Sequence, residues 1–279
     1  MSTVLTVDHP AWQAASPEAP PARLVRSGDG LWLTGWGLDG LTLACVEGAE
    51  DSKPNVVATH ASGWAETVPA DLAAGLSGLG TTLRLANPWL WDAVTTAILR
   101  QVIHASAARE RYRTWCRTYG TGVDTEHGPR FVAPDPRRVL ELTDGDFAAV
   151  KATFNQTALR AAATAYLQHG DAWSSLSAGP LAQELMSVPK IGPWTAAAAA
   201  ADFTGDFAFY PHNDLAVRTW AVRIAPGHDW PPLKKGAFES YWRSLAGCAD
   251  GALHTLTLTT LTWGAHARTD QHGGTTARP

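Results

Sequence analysis

The chain has 279 residues, of which 45% are hydrophobic, and its formal net charge at pH 7 is −4. This length allows one large domain or two ordinary ones, with enough apolar residues for a sizeable core without metal or disulfide cross-links. The three cysteines, Cys45, Cys116 and Cys248, lack the spacing of a zinc or iron-sulfur motif. No apolar run approaches the roughly 20 residues of a membrane span, and the N-terminus lacks a signal-peptide pattern. We therefore expect a cytoplasmic protein that does not contact a membrane.

The net negative charge restricts any nucleic-acid contact to a local surface, because affinity for phosphates comes largely from Lys and Arg. The densest basic cluster lies in the stretch ARERYRTWCR, where Arg109, Arg113 and Arg117 recur at a spacing of four. On a helix these three side chains would share one face. Such a stripe is more often a solvated surface than a binding site.

The predicted elements change along the chain. Residues 1–22 are rich in Ala, Pro and Ser without periodicity and predict a flexible arm. Residues 23–85 contain short alternating runs separated by turn signals and predict a small antiparallel β domain. Residues 86–268 predict a helical domain, in which one apolar pattern at three and four spacing runs on to about Tyr119. The polar residues 269–279 predict a disordered tail.

A helix–turn–helix pattern spans about residues 181–203. Pro180 is placed to open the first helix, Pro189 to end it, and Pro193 to start the second helix, where a missing N–H is tolerated. Between the helices, Gly192 is expected to supply a residue with positive φ. Free amides at the start of the second helix would be able to bind a phosphate without reading sequence. Taken alone, the pattern fits an ordinary helical hairpin.

Asp214 begins a further predicted helix, twenty residues after Trp194, in the run PHNDLAVR. An isolated Asp at a helix start is usually only a cap. A hairpin followed by a distal Asp, however, is the signature of helix-hairpin-helix base-excision glycosylases. The chain most resembles the bacterial DNA-3-methyladenine glycosylase II type, whose PGIGxWTA and DLxxR patterns match Pro189–Ala196 and Asp214–Arg218.

The resemblance implies a mainly α fold, the helix-hairpin-helix glycosylase fold with two helical subdomains and a cleft, preceded by a small antiparallel β domain. It implies a monofunctional DNA N-glycosylase that excises alkylated purines from double-stranded DNA. Asp214 would be the catalytic carboxylate, stabilising the oxocarbenium character of the sugar. Trp194 stands where bifunctional relatives carry a Schiff-base Lys, which implies no lyase activity.

The resemblance also assigns binding roles. The residues implied for the base pocket are Trp194, Leu215 and Ala198. Those implied for the DNA backbone are Lys190, Gly192 and Thr195, and the duplex wedge falls on Val102. A monovalent cation would be held by the backbone carbonyls of Met186, Val188 and Lys190. No cofactor is required and no iron-sulfur cluster is implied, and we expect a monomer.

The chain departs from the family pattern at three places. Lys190 replaces the first hairpin Gly, Arg100 and His104 replace the Gly and Ser around the wedge, and Leu215 replaces an aromatic residue. Two other functions stay open. One is an N-glycosidase acting on a free nucleoside or nucleotide, which the negative charge and altered wedge would permit. The other is a non-catalytic DNA-binding helix-hairpin-helix protein, against which the retained Asp214 argues.

Overall fold

The computed structural model describes residues 2–16, 19–37, 40–126, 128–232 and 236–273. The helices of these residues are α1 (Ala70–Ser77), α2 (Leu90–Leu99), α3 (Ala105–Tyr119), α4 (Pro136–Glu141), α5 (Asp144–Ala149), α6 (Gln156–Ser174), α7 (Ala178–Leu185), α8 (Pro193–Thr204), α9 (Leu215–Ile224), α10 (Ala237–Leu245) and α11 (Ala252–Gly273). The strands are β1 (Thr3–Leu5), β2 (Ala22–Ser27), β3 (Gly30–Gly37), β4 (Gly40–Glu47), β5 (Val56–His60), β6 (Thr81–Leu85), β7 (Gly122–Val123) and β8 (Arg130–Phe131). Within the described ranges, no helix is long and apolar enough to cross a membrane.

The described residues form two compact units. The terminal unit comprises residues 2–8, 56–84 and 206–273. It therefore combines the two ends of the described chain with a segment that interrupts the other unit. The central unit comprises residues 9–55 and 85–205. Among the described residues, the terminal unit contains one small sheet and the central unit contains two, and each unit has its own group of packed helices.

The terminal unit is organised around α11. Its sheet has the order β1-β6-β5, and β1 pairs in parallel with β6. Helix α11 packs against β5, α1 and α9. Gly264 leaves room on α11 for the Trp220 ring, since a Cβ at this position would clash with the indole.

The buried threonines of α11 allow a polar helix to lie in a core. They are Thr257, Thr259, Thr260 and Thr262. The Thr262 hydroxyl bonds the Thr6 hydroxyl at 2.8 Å, and Thr257 Oγ1 accepts a bond from Trp242 Nε1 at 3.1 Å. The hydroxyls of Thr259 and Thr260 donate to carbonyls one turn earlier in the helix. Because each of these four hydroxyls has a partner, their burial leaves no unpaired polar group on this face.

The central unit combines an antiparallel sheet, β2-β3-β4, with the helices α2 to α8. Strands β2 and β3 are joined by a two-residue turn between Ser27 and Gly30, in which Gly28 has a φ of 54°. All residues of α2 are buried, and this helix packs against α3, α6 and α8. It therefore forms the core of the unit.

A buried carboxylate joins α2 to the surrounding elements. Asp92 Oδ1 accepts a bond from the Tyr112 hydroxyl of α3 at 2.6 Å. Its Oδ2 accepts bonds from Asn87 Nδ2 at 3.1 Å and from Arg23 Nη2 of β2 at 3.4 Å. Burial raises the pKa of Asp92, and the nearby Arg23 cation opposes that effect. The three donors compensate for the loss of water around the carboxylate.

The expected flexible arm over residues 1–22 does not agree with the structure. Residues Thr3–Leu5 form β1, and Trp12 is buried at 3% exposure. His9 Nε2 lies 3.0 Å from Thr96 Oγ1 and 3.5 Å from Asp92 Oδ2. The composition of this segment indicates no periodic element, but contacts with residues distant in the chain, such as β6 and Thr96, hold it in place.

The expected β domain over residues 23–85 also needs correction, because its strands are divided between the two units. Strands β2 to β4 form the central sheet, whereas β5 and β6 belong to the other sheet, where β6 pairs with β1 in parallel. Alternation predicts a strand but not its partner. In the expected tail, residues 269–273 continue α11, and residues 274–279 lie outside the described residues.

The apolar pattern expected to continue to Tyr119 forms two helices rather than one. Helix α2 ends at Leu99 and α3 begins at Ala105. Between them Val102 has a φ of 58° and is 88% exposed. The pattern continues across the break because both helices bury an apolar face, so periodicity alone does not reveal the interruption.

The hairpin is formed by α7 and α8, but its left-handed residue is not Gly192. That glycine has a φ of −90° and a ψ of 175°, whereas Lys190 has a φ of 70°. The prediction for Gly192 was therefore wrong. The physical reason is Pro193, since a residue before proline is restricted to extended backbone.

His212 is a buried histidine in the terminal unit. Burial, reinforced by the positive charge of Arg243, lowers the pKa of His212 to about 4 against a smaller opposing effect of the Phe207 backbone. Within the described ranges, neither ring nitrogen has a partner at good hydrogen-bond geometry. Folding therefore favours the neutral ring.

We expect the protein to lose stability on acidification through His212. The stabilisation is complete above the unfolded pKa of 6.5 and is lost as the pH falls through about 4. The full contribution is about 3 kcal/mol. In denaturant titrations between pH 7 and 4, His212→Leu should flatten the decline in the free energy of unfolding. Exposed His169→Gln is the control, and an unchanged decline in His212→Leu would contradict the assignment.

We expect Lys190→Gly to raise the free energy of unfolding by about 1 kcal/mol, because a left-handed conformation is unfavourable for residues with a Cβ. Chemical denaturation measures the change. Gly192→Ala is the matched control, since that residue has ordinary backbone angles and a Cβ added there would meet open space. Its stability should not fall. A destabilised Lys190→Gly variant would mean that the lysine side chain, and not the backbone, governs this turn.

Candidate active site

Asp214 is the N-cap of α9 in the terminal unit. Its Oδ1 accepts a hydrogen bond from the Ala216 amide at 2.7 Å, and its Oδ2 accepts one from the Tyr210 hydroxyl at 3.2 Å. The Asp214 amide donates to the Pro211 carbonyl at 2.8 Å, which closes the turn before the helix. Both carboxylate oxygens are thus held in place while the residue remains partly exposed.

The Tyr210 side chain is itself fixed from behind. It is 5% exposed, and its ring stacks on Phe207 with 5.5 Å between centroids. The Arg84 guanidinium lies 4.6 Å from the Phe207 ring, and its Nε donates to Asp8 at 3.0 Å. These contacts give the Asp214 carboxylate a rigid support that sequence reasoning missed. The available signal was an aromatic residue four positions before the aspartate.

A neutral histidine orients Phe207. The Phe207 amide lies 3.1 Å from His254 Nδ1, and since an amide can only donate, Nδ1 is the acceptor. The proton of the neutral ring is therefore on Nε2, which donates to Thr59 Oγ1 at 3.0 Å. Burial lowers the pKa of His254, and the nearby Arg84 cation lowers it further against the opposing effect of Asp206. The support behind Asp214 thus depends on an uncharged ring.

Next to the held carboxylate, the side chain of Leu215 is 64% exposed at the start of α9. This arrangement offers a fixed negative charge beside an apolar surface. Such a group stabilises positive charge that develops on a bound molecule, because it needs little reorganisation as the charge forms.

The hairpin in the central unit carries free amide donors. The amides of Lys190, Gly192 and Thr195 donate no hydrogen bond to any residue in the described ranges. Lys190 and Gly192 are also exposed, whereas Thr195 is only 3% exposed. Amides at the start of a helix attract anions, so this hairpin can bind a phosphate through its backbone.

Two side-chain amides hold the end of α2 and the start of the loop that follows it. Gln101 Nε2 donates to Thr195 Oγ1 at 2.9 Å and to the Lys190 carbonyl at 3.2 Å. Asn155 Nδ2 donates to the Ile98 carbonyl at 2.6 Å, at the end of α2. The exposed Val102 therefore directly follows an anchored segment, which Gln101 links to the hairpin.

The residues predicted for a base pocket have different environments. Trp194 is partly buried, and the Arg100 guanidinium lies 5.8 Å from its ring. Ala198 is only 4% exposed within α8, so its side chain offers no free surface in this structure. Trp194 and Ala198 lie in the central unit with Val102, whereas Asp214 and Leu215 lie in the terminal unit.

The predicted cation ligands partly fit a monovalent ion. The Val188 carbonyl accepts a bond from the Ile191 amide at 3.1 Å, and the Lys190 carbonyl accepts one from Gln101. A carbonyl oxygen has two lone pairs, so each retains one for an ion. The role of these carbonyls and of Met186 stays a prediction. Among the described side chains, no group of three or more His, Cys, Asp or Glu could hold a metal.

No protein-family model matches the sequence, and no curated protein matches it. The structure is similar to that of an 8-oxoguanine glycosylase/lyase from Clostridium acetobutylicum in complex with DNA, with a TM-score of 0.69 and 12% identity over 94% of this chain and 90% of that chain. It is also similar to a 3-methyladenine DNA glycosylase from Archaeoglobus fulgidus, with a TM-score of 0.65 and 13% identity over 89% and 88% of the two chains. The predicted fold class is thereby confirmed, and the chain has the fold of the helix-hairpin-helix DNA glycosylases.

Proposed function

We propose that the protein is a monofunctional DNA N-glycosylase that removes alkylated purines from double-stranded DNA. The observation that carries the proposal is the Asp214 carboxylate, held by the Ala216 amide and the Tyr210 hydroxyl. It occurs in a chain with the fold of an 8-oxoguanine glycosylase/lyase and a 3-methyladenine DNA glycosylase.

The chemistry needs a fixed negative charge near the sugar. As the N-glycosidic bond breaks, positive charge develops on the deoxyribose, and the Asp214 carboxylate stabilises that charge electrostatically. Ordinary glycosidases use a second carboxylic acid to protonate the leaving group. An N-alkylated purine already carries positive charge, so it departs without such an acid. The proposed substrate class therefore suits a site with one assigned carboxylate.

The DNA contact is assigned to the hairpin and the loop before α3. The free amides of Lys190, Gly192 and Thr195 would bind backbone phosphate. Extruding a nucleotide leaves a gap in the duplex, and an apolar side chain such as that of Val102 would fill it. A β-branched residue at positive φ is strained, and strain of this kind is concentrated at functional sites. This supports the wedge assignment.

The absence of lyase activity is proposed from Trp194, because an indole cannot form a Schiff base with the sugar. Stacking of the extruded base on this ring would use its partly exposed face. A monovalent cation at the hairpin carbonyls would add positive charge beside a bound phosphate.

Asp214→Asn should reduce the single-turnover rate of base release at least about 100-fold, because the carboxylate charge serves the transition state. The amide oxygen can still accept the Ala216 bond, so the helix cap is retained. Affinity for the lesion duplex should stay within about tenfold, measured by fluorescence anisotropy. Asp135→Asn, at the N-cap of α4, is the matched control and should react at the parent rate. Parent-like release by Asp214→Asn would refute the catalytic assignment.

Duplexes that each contain one defined lesion should show release of 7-methylguanine or 3-methyladenine ahead of uracil and 8-oxoguanine. The positive charge of the alkylated base weakens its bond to the sugar, whereas one pocket contact contributes only about 1–3 kcal/mol to discrimination. Base release is measured by chromatography, and the abasic strand should remain unbroken until alkali is added.

Faster release of uracil or 8-oxoguanine would mean that the site contains an acid or a specific base contact. Strand cleavage without alkali would contradict the monofunctional assignment. Inactivity on every duplex combined with cleavage of a free nucleoside would favour a nucleoside N-glycosidase. Binding of duplex DNA without any base release would favour a non-catalytic DNA-binding protein.

A further inference from the structure

The central unit contains a cavity of about 450 Å³ between the start of the unit, α3 and β8. Its lining includes Gln13, Arg113, Arg117, Arg130 and Phe131. We refer to it as the arginine cavity. None of the residues assigned to catalysis or DNA contact lines it, so its role is independent of the proposed glycosylase activity.

The guanidinium groups of the arginine cavity are positioned by backbone carbonyls rather than by carboxylates. Arg113 donates to the carbonyls of Pro10 at 2.9 Å and Trp12 at 2.6 Å. Arg130 donates to the carbonyls of Pro129 at 3.1 Å and Gln13 at 3.3 Å. Neutral acceptors orient these cations but do not compensate their charge.

The cavity therefore concentrates positive charge. Among the described residues, Arg113, Arg117 and Arg130 form no ion pair with an acidic side chain. Burial and the neighbouring cations Arg109 and Arg130 lower the pKa of Arg113 to about 10. Glu126 is the one acidic residue in the described lining, and it has another interaction of its own. The local charge favours binding of an anion.

Arg130 is the most buried arginine of the described cavity lining. The residue is only 5% exposed, and its Nε has no hydrogen-bond partner among the described residues. An unpaired buried donor is unfavourable, and more so when it is charged. The Nε atom itself is not accessible to a ligand. Arg130 does line the cavity, and its two terminal nitrogens carry four N–H groups, of which the bonds to the Pro129 and Gln13 carbonyls use two. The remaining N–H groups are the donors available to a bound oxyanion.

The arginine stripe of α3 is thus not simply a solvated surface. Arg113 is partly buried and bonded to the chain before β2, and β8 adds Arg130, which the sequence spacing did not connect with the stripe. Only Arg117 of the lining arginines is exposed. Its side chain donates no hydrogen bond to any residue that the structure describes.

We propose that the arginine cavity binds the phosphate group of a mononucleotide-sized phosphorylated molecule. A cavity of 450 Å³ falls within the range of about 300–1,000 Å³ that is usual for small-molecule sites, and it exceeds the needs of inorganic phosphate alone. Phe131 contributes an apolar wall beside the cations. The backbone phosphates of an intact duplex lie on a convex surface and are poorly suited to reach the recessed Arg130 guanidinium.

The test is calorimetric titration of the full chain with three probes at constant ionic strength: inorganic phosphate, deoxyadenosine monophosphate and deoxyadenosine. We expect saturable binding of one equivalent of phosphate and of the nucleotide. The nucleotide should bind at least about tenfold more tightly than phosphate, because it also fills the rest of the cavity. Deoxyadenosine should not bind at this site.

Two variants connect binding to the cavity. Arg117→Gln removes one cation without breaking a described hydrogen bond and should weaken nucleotide binding about fivefold to tenfold. Arg130→Lys keeps the charge but loses the two-donor geometry and should weaken it by a similar factor. Arg137→Gln, an exposed position on α4, is the matched control and should bind as the parent does. Circular dichroism confirms that each variant is folded.

Three results would overturn the proposal. The first is no saturable binding of phosphate or nucleotide at 10 mM, about the weakest affinity such a site should show. The second is equal weakening in Arg117→Gln and Arg137→Gln, which would indicate a non-specific charge effect. The third is an about fivefold to tenfold loss of affinity for duplex DNA in Arg117→Gln, together with no binding of the nucleotide to the parent protein. That result would assign these arginines to the DNA backbone. Base release serves as the separate readout of the proposed glycosylase, so failure of one proposal leaves the other testable.

Discussion

The buried carboxylate of Asp92 is the interaction on which the central unit depends. Removing a carboxylate from water is costly, so this position on the core helix α2 is stable only because Tyr112, Asn87 and Arg23 all donate to it. These donors come from α3, from the segment before α2 and from β2. One charge therefore fixes the sheet and two helices relative to each other within the unit. Because α2 is fixed in this way, the loop that follows it has a defined starting point.

Two residues with unfavourable backbone conformations, one in that loop and one in the hairpin, are linked through a neighbouring hydrogen bond. Val102 and Lys190 both have positive φ, and a single side chain, that of Gln101, bonds the Lys190 carbonyl from the residue next to Val102. Each strained residue costs on the order of 1–3 kcal/mol, which the surrounding packing must offset. The strain is shared by the hairpin and the adjoining loop, and this rigidity is compatible with the DNA contact proposed for them.

The capping role of Asp214 and its proposed catalytic role are compatible. One oxygen satisfies the Ala216 amide, and the other accepts the bond from Tyr210. A capping bond keeps the carboxylate from rotating away, while partial exposure leaves it accessible to a substrate. The carboxylate position that caps the helix is also the position that the proposed reaction needs, since a preorganised charge needs little rearrangement when positive charge forms nearby. The stacked Tyr210 and Phe207 extend this rigidity into the core of the terminal unit.

The sequence by itself determined the helical character of the second half, the position of the hairpin and the place of Asp214 at a helix start. These features depend on local signals such as proline positions, apolar spacing and a motif of about forty residues. Tertiary structure decided that β6 pairs with β1, that the apolar pattern breaks at Val102, and that Arg130 joins the stripe of α3. The physical reason is that periodicity specifies which face of an element is buried, whereas the partner that buries it is chosen by contacts between residues distant in the chain.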